Sequence, residues 1–179
     1  MADKSTRKDG AGQKLKNNQL KHLPSGQCYK GPLSEEGRPH GHGILMWTDG
    51  SVYEGYLECG FLSGYGRLIH ADGDLYQGYW KNNKAHGFGV YMHANGTVHR
   101  GFWKNDKQEG RGVETWLNKS KFLCTYSDGL KSGMGVAKWS DGNTYEGNFH
   151  NNKINGYGTY GWSDGRSFTG YWLDNKMNG

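Results

Sequence analysis

Proline, cysteine and branched aliphatic residues are all scarce in this chain of 179 residues. With only 3 Pro, and glycines that do not fall on every third position, a collagen-like triple helix is excluded. The three cysteines, Cys28, Cys59 and Cys124, are an odd count, and no apolar secretory segment follows Met1, so a disulfide scaffold is not expected. Both features point to a reducing, cytoplasmic setting and away from secretion, where the N-x-S/T triplets at Asn95 and Asn118 carry no glycan. Leu, Ile, Val and Phe together number 27, about 15% of the chain and below the roughly 20% typical of chains that bury an aliphatic core. A Leu-rich helical bundle is therefore not the expected fold, and the longest apolar runs are far too short for a membrane-spanning helix.

Glycine and aromatic residues fill the gap. There are 31 Gly, against 7 Trp, 12 Tyr and 6 Phe. Excess glycine alone argues for disorder, but disordered segments are poor in rings, so the buried surface of this chain must be carried by aromatic side chains.

Those rings recur at a fixed interval. Tyr53, Tyr76, His99, Phe122, Tyr145 and Phe168 each follow the last by 23 residues, and Tyr29 precedes Tyr53 by 24. With each of these positions counted as offset 0, glycine returns at offsets 2, 11, 13 and 20, the last within Asp-Gly or Asn-Gly pairs such as Asp72-Gly73 and Asn95-Gly96. A second ring position falls at offset 4 (Trp80, Trp103, Trp172) and a third at offset 17 (Trp116, Trp139, Trp162). Offsets 0, 2 and 4 share one face of an extended strand, because strand side chains alternate. Each unit therefore reads as one β-hairpin with a polar connection such as Lys81-Asn82-Asn83-Lys84, and the Asn-Gly or Asp-Gly pair forms a tight turn to the next unit. Pairing offset 4 with offset 11 across the hairpin would set rings against bare backbone, so the glycines are read as space for rings. The expected fold is all-β: an elongated, twisted, single-layer antiparallel sheet of about 13 strands, on the order of 60 Å long.

Segments such as Tyr53-Glu54-Gly55-Tyr56, Tyr145-Glu146-Gly147-Asn148-Phe149 and Gly156-Tyr157-Gly158 resemble the MORN repeat, whose pattern is Y-x-G-x-W with G-x-G about nine residues on. The resemblance covers residues 25–179 as six full units and half of a seventh, beginning at Tyr29, Tyr53, Tyr76, His99, Phe122, Tyr145 and Phe168. It implies a non-catalytic scaffold working through protein partners in a large assembly, with a ciliary axoneme or related cytoskeleton as the setting. It also admits a membrane-apposed or organellar accessory subunit, or the targeting module of a larger enzyme such as a phosphoinositide kinase or lysine methyltransferase. In some family members an aromatic groove takes a peptide or helix, which makes Tyr53, Tyr76, Trp80, Trp103, Trp116, Trp139, Tyr145, Trp162 and Trp172 the candidate partner-binding strip. The unit breaks its own rule once: Lys119 replaces the turn glycine and Cys124 the offset-2 glycine, which predicts a kink or bulge near residues 117–126.

Nothing in the chain reads as catalytic machinery. Gly64-Tyr65-Gly66 and Gly110-Arg111-Gly112 are not followed by G-K-[S/T] or a helix start, so they are not phosphate loops. His40 and His86 occupy a slot that elsewhere holds Ser63, Glu109, Ser132 or Asn155, which is a solvated loop position rather than a metal ligand. No catalytic residue, metal or cofactor is expected. Residues 1–24 form a basic arm (Lys4, Arg7, Lys8, Lys14, Lys16, Lys21) on a nearly neutral body, suited to an acidic protein surface and less so to anionic lipid. Nucleic acid is not an expected partner, because the rings are not interleaved with a basic stripe. A homodimer is compatible with the reading.

Overall fold

The computed structural model describes residues 19–178. Among them there is no helix, and 15 strands lie in one open sheet in sequence order, each antiparallel to the next. Short strands β1 (Lys21–His22) and β2 (Cys28–Lys30) lead into β3 (Gly41–Met46), and thereafter seven- and nine-residue strands alternate. These are β4 (Val52–Glu58), β5 (Phe61–Ile69), β6 (Leu75–Lys81), β7 (Lys84–Met92), β8 (Val98–Lys104), β9 (Lys107–Thr115), β10 (Lys121–Ser127), β11 (Leu130–Lys138), β12 (Thr144–His150), β13 (Lys153–Gly161) and β14 (Ser167–Leu173), closed by β15 (Lys176–Met177). The sheet begins at Lys21, inside the stretch read from sequence as the basic arm; Lys4, Arg7, Lys8, Lys14 and Lys16 lie outside the described residues.

The two kinds of turn exchange the roles expected of them. The two-residue loops with both residues at positive φ are the Asn-rich connections: Asn82 and Asn83 lie at φ 51° and 66°, Asn151 and Asn152 at 49° and 65°. Asparagine tolerates this region, and such turns match the right-handed twist of the flanking strands. The Asp-Gly and Asn-Gly pairs that join one repeat to the next sit instead in three-residue loops, where the glycine amide bonds back three residues (Gly50 to Trp47, 3.2 Å) and only the glycine has positive φ. In these loops the Asp or Asn carboxamide or carboxylate accepts the amide two residues on, as Asp49 does from Ser51 at 2.8 Å. Lys119 holds the left-handed conformation of the glycine it replaces, at φ 70°, and its amide makes the same bond to Trp116 at 2.9 Å. Lys119→Gly should therefore stabilise the protein by about 0.5–1 kcal/mol, read as a rise in the chemical-denaturation midpoint.

The glycines have two separate purposes. Within each hairpin offset 2 pairs with offset 13 (Gly55↔Gly66, Gly78↔Gly89, Gly147↔Gly158), and the same rows pair again between repeats (Gly66↔Gly78, Gly89↔Gly101). The result is a nearly continuous ladder of glycines across the sheet, over which the offset-0 rings lie. Tyr53 covers Gly55 and Gly66, where a β-carbon on Gly55 would fall 2.5 Å from the Tyr53 hydroxyl and from the Cα of Gly66. The ring is tied down by its hydroxyl, which donates to the carbonyl three residues on: Tyr53 to Tyr56 (2.9 Å), Tyr76 to Tyr79 (3.1 Å), Tyr145 to Asn148 (3.0 Å). Phe122 and Phe168 lack that tether and are only half-buried. The offset-11 glycines do something else. Gly64, Gly87, Gly110, Gly133 and Gly156 all have positive φ, and a β-carbon on Gly110 would meet nothing within 4 Å. They serve the β-bulge, not the rings. Offset 4 does face offset 11, but between successive repeats (Gly64↔Trp80, Gly156↔Trp172); inside the hairpin the bulge shifts it to offset 9, as in Trp80↔Ala85.

The bulge expected near residues 117–126 is present, but it is not peculiar to that segment. The register does shift between Cys124 and Tyr126, but it shifts at the same place in the four other full hairpins, so the two substitutions add no extra break. Cys124 takes a glycine slot beside the untethered Phe122, and its thiol is buried, which pushes its pKa up to about 11.

Candidate functional site

The inner face of the sheet carries the aromatic strip. Tyr53, Tyr76 and Tyr145 are fully buried, at 0–2% exposure, and Trp80 and Trp172 are buried too. Each of these indoles donates to a glycine carbonyl, Trp80 to Gly66 and Trp172 to Gly158, both at 3.2 Å. Burial holds the Tyr53 and Tyr76 phenols well above their ordinary pKa. These five residues are core, not open surface. Trp103, Trp116, Trp139 and Trp162 are half-buried.

The strip forms two apolar clusters. One runs from Tyr29 through Tyr53, Tyr76 and Trp80 to Trp103; the other from Phe122 and Trp139 through Tyr145 to Trp172. Rings meet edge to face within each, with Tyr76 4.9 Å from Trp80 and 5.4 Å from Trp103, and Tyr145 5.8 Å from Trp172. Such contacts contribute about 0.5–1.5 kcal/mol each beyond area burial.

Polar residues divide the clusters. His99 occupies the tyrosine slot at 1% exposure, between Trp103 (5.3 Å) and Tyr126 (4.9 Å), and neither ring nitrogen has a hydrogen-bond partner among the described residues. Burial holds its pKa down to about 4, with Lys131 and His93 lowering it further and Glu114 opposing them. Beside it Lys131 takes the offset-9 position that Leu62, Ala85 and Ile154 hold elsewhere, and its ammonium donates to Glu114 at 2.7 Å. The same ammonium lies 5.3 Å from the Phe122 ring, 5.5 Å from Tyr126 and 5.8 Å from Trp116. A half-desolvated cation against three ring faces is attracted by their quadrupoles. Trp116 is thus engaged by an internal lysine.

The strip opens into a groove near its middle. Between β5 and β8 a groove of about 300 Å³ is lined by Leu68, His70, Tyr76, Trp80, Ala85, Tyr91 and Trp103, with Asn83 and Asp106 at one end. The polar residues at its margins are committed to the scaffold. Asn83 accepts the Leu62 amide and Asp106 the Ala85 amide, each at 2.7 Å, so each turn is fastened to the preceding repeat. Asp74 accepts the Tyr91 hydroxyl at 2.7 Å, the Ala94 amide at 2.9 Å and faces His93 Nδ1 at 3.0 Å; these bonds, the Ala94 amide first, keep its carboxyl below the usual range. What remains open in the groove is ring edges and aliphatic carbon. Among the described residues no group of three or more His, Cys, Asp or Glu side chains converges.

Sequence reading missed the outer face. Tyr65, Tyr79, Phe88, Phe102, Tyr157 and Tyr171 are all exposed there, paired across adjacent strands as Tyr65–Tyr79, Phe88–Phe102 and Tyr157–Tyr171. The signal was present as recurrent rings at offsets 3 and 12, on the alternate face from the strip.

A family model for the MORN repeat matches seven stretches, residues 35–52, 53–75, 76–98, 99–121, 125–144, 145–165 and 168–179. No curated protein sequence matches the chain. Among solved structures, the TCP domain of SAS-4 from Drosophila melanogaster is similar over 96% of this chain and 86% of its own, with TM-score 0.47 and 11% identity. The TCP10 domain of CPAP from Danio rerio is similar over 86% of this chain and 83% of its own, with TM-score 0.41 and 15% identity. At these scores and identities the likeness carries over neither partner nor location. The MORN repeat is a non-catalytic repeat module, and with its units matched along most of the sheet the chain belongs to the MORN-repeat family.

Proposed function

We propose that the protein is a non-catalytic scaffold whose inner-face groove holds a peptide or helix from a protein partner. The observation that carries this reading is the apolar opening at Leu68, Tyr91 and Trp103, a part of the aromatic strip that the chain does not close over itself. Its volume of about 300 Å³ is at the small end of ligand pockets. It has no free polar cluster to orient a cofactor, and ring-lined concavities of this kind take the anchoring side chains of protein partners. The setting we propose is a ciliary or other cytoskeletal assembly, as for free-standing MORN arrays.

Trp80→Ala would be a poor test, because Trp80 is core. Tyr91 is half-buried and forms one wall. Affinity purification of a Tyr91→Ala variant from native cells should lose the partner set that the wild-type chain captures, at matched expression and with thermal melting within a few degrees. An unchanged partner set from a folded variant would refute the groove. Proximity labelling should return ciliary or cytoskeletal neighbours; a membrane-protein neighbourhood would refute the proposed setting.

A further inference from the structure

The outer face of β5–β8 bears a surface that the inner-face groove does not use. Tyr65, Tyr79, Phe88 and Phe102 stand on four successive strands, each 44–53% exposed. They form two walls: Tyr65 meets Tyr79 at 5.4 Å between ring centroids, and Phe88 meets Phe102 at 5.6 Å, each pair close to perpendicular. Gln77 fixes the first wall by donating its amide to the Tyr65 hydroxyl at 3.0 Å. Beside that wall lies a hollow of about 220 Å³ over the backbone of Gly55 and Gly66, edged by His42, Glu54 and Arg67.

Two properties of the ladder specify what fits. The first is its period. One wall repeats every two strands, about 9.6 Å at the usual strand separation. A polyproline II helix turns once per three residues at about 3.1 Å each, or about 9.3 Å. Such a chain, lying across the strands, would present the same side of its helix to each wall in turn, and it is the backbone form that aromatic-walled grooves recognise. The second property is charge. Arg67 and Arg100, at offsets 14 and 1, are exposed along one side of the ladder, and Lys81 and Lys104, at offset 5, along the other. The acidic neighbours Glu54 and Glu58 lie on β4, at the end of the ladder. The C-terminal pair Tyr157–Tyr171, at 5.3 Å, repeats the wall but has Thr159, Thr169 and Leu173 where the ladder has its cations.

We propose that the β5–β8 ladder is a second docking surface, for an acidic, proline-rich segment of a partner protein in polyproline II conformation. Prolines sit between the ring walls and carboxylates reach the basic rails. The four strands span about 14 Å, the reach of about five residues of such a helix.

The test uses the full chain and a synthetic peptide of about four Pro-Pro-Glu triplets, with Pro-Pro-Lys and Gly-Gly-Glu peptides as controls, titrated by calorimetry. The expected result is binding of the first alone, weakened by salt. Phe88→Ala, and separately Arg67→Glu with Arg100→Glu, should each weaken it at least tenfold without moving the melting temperature by more than a few degrees; Tyr157→Ala should leave it unchanged. Equal binding of all three peptides, no binding at millimolar concentration, or loss on Tyr157→Ala would overturn the proposal. So would a dimer in sedimentation that Phe88→Ala dissociates, or binding to phosphatidylserine vesicles in place of the peptide, since the ladder would then serve self-association or lipid.

Discussion

Gly89→Ala is expected to cost about 3 kcal/mol or more, a large share of the stability of an ordinary domain. The added methyl would fall on the Tyr76 ring, 2.6 Å from Cζ and 2.7 Å from Cε2, with the hydroxyl also in contact. The ring has nowhere to go. Its hydroxyl is bound to the Tyr79 carbonyl, and Trp80 and Trp103 abut it edge to face at 4.9 and 5.4 Å. The control is Gly129→Ala, where φ is 85° but nothing lies within 4 Å, so only the backbone strain of about 1 kcal/mol applies. Denaturant titrations of the two variants should therefore differ by about 2 kcal/mol or more. In a double-mutant cycle Tyr76→Leu should make Gly89→Ala cheaper. Equal losses at Gly89 and Gly129 would mean that the glycine ladder is not kept for rings.

Acid should unfold this protein earlier than its carboxylates alone would require. His99 titrates at about 4 in the folded chain against 6.5 when unfolded. Above pH 6.5 the imidazole is neutral in both states and contributes nothing. Between pH 6.5 and 4 the unfolded chain takes up a proton that the folded chain excludes, so stability falls as pH falls, by on the order of 3 kcal/mol in all. The groups facing it, Glu114, Lys131, Tyr126 and His93, set the remaining balance. Asp74 and Asp164, whose pKa values are lowered, lose their contribution only below that window. His99→Tyr restores the residue that Tyr53, Tyr76 and Tyr145 supply in other repeats, over a Gly101–Gly112 pair already bare. Its melting temperature should be flat between pH 7 and 4.5, where the wild type declines; parallel curves would exclude His99 as the cause.

How far the chain could be read in advance depended on whether side chains or backbone carried the information. Strand positions, repeat boundaries and the buried strip at Tyr53, Tyr76, Trp80, Tyr145 and Trp172 follow from ring periodicity alone. The turns did not, because Asn-Gly and Asp-Gly fit both a two-residue loop and a three-residue loop in which only glycine has positive φ. The choice is made by the flanking register, which places Asn82-Asn83 in the tighter turn. Offset-11 glycines were indistinguishable from offset-13 glycines as letters, although one answers to a bulge and the other to a ring. Tyr65, Tyr79, Phe88 and Phe102 were passed over because rings were equated with core. Alternation along the strand, already used for offsets 0, 2 and 4, puts offsets 3 and 12 on the opposite side. Lys131 gave no local sign of its place among Phe122, Tyr126 and Trp116, since those rings come from β10 and the turn before it while the lysine stands on β11.

The identical bulge in each of the five full hairpins has a geometric consequence. Every 23-residue step advances the ribbon by two strand spacings, about 9.6 Å, and rotates it by about 40–50°. Two molecules held at different points along the ribbon are then separated in distance and bearing by a whole number of such steps. Deleting one complete unit would turn one cargo relative to the other by a fixed angle while leaving both seats intact; deleting a single strand residue would exchange inside for outside.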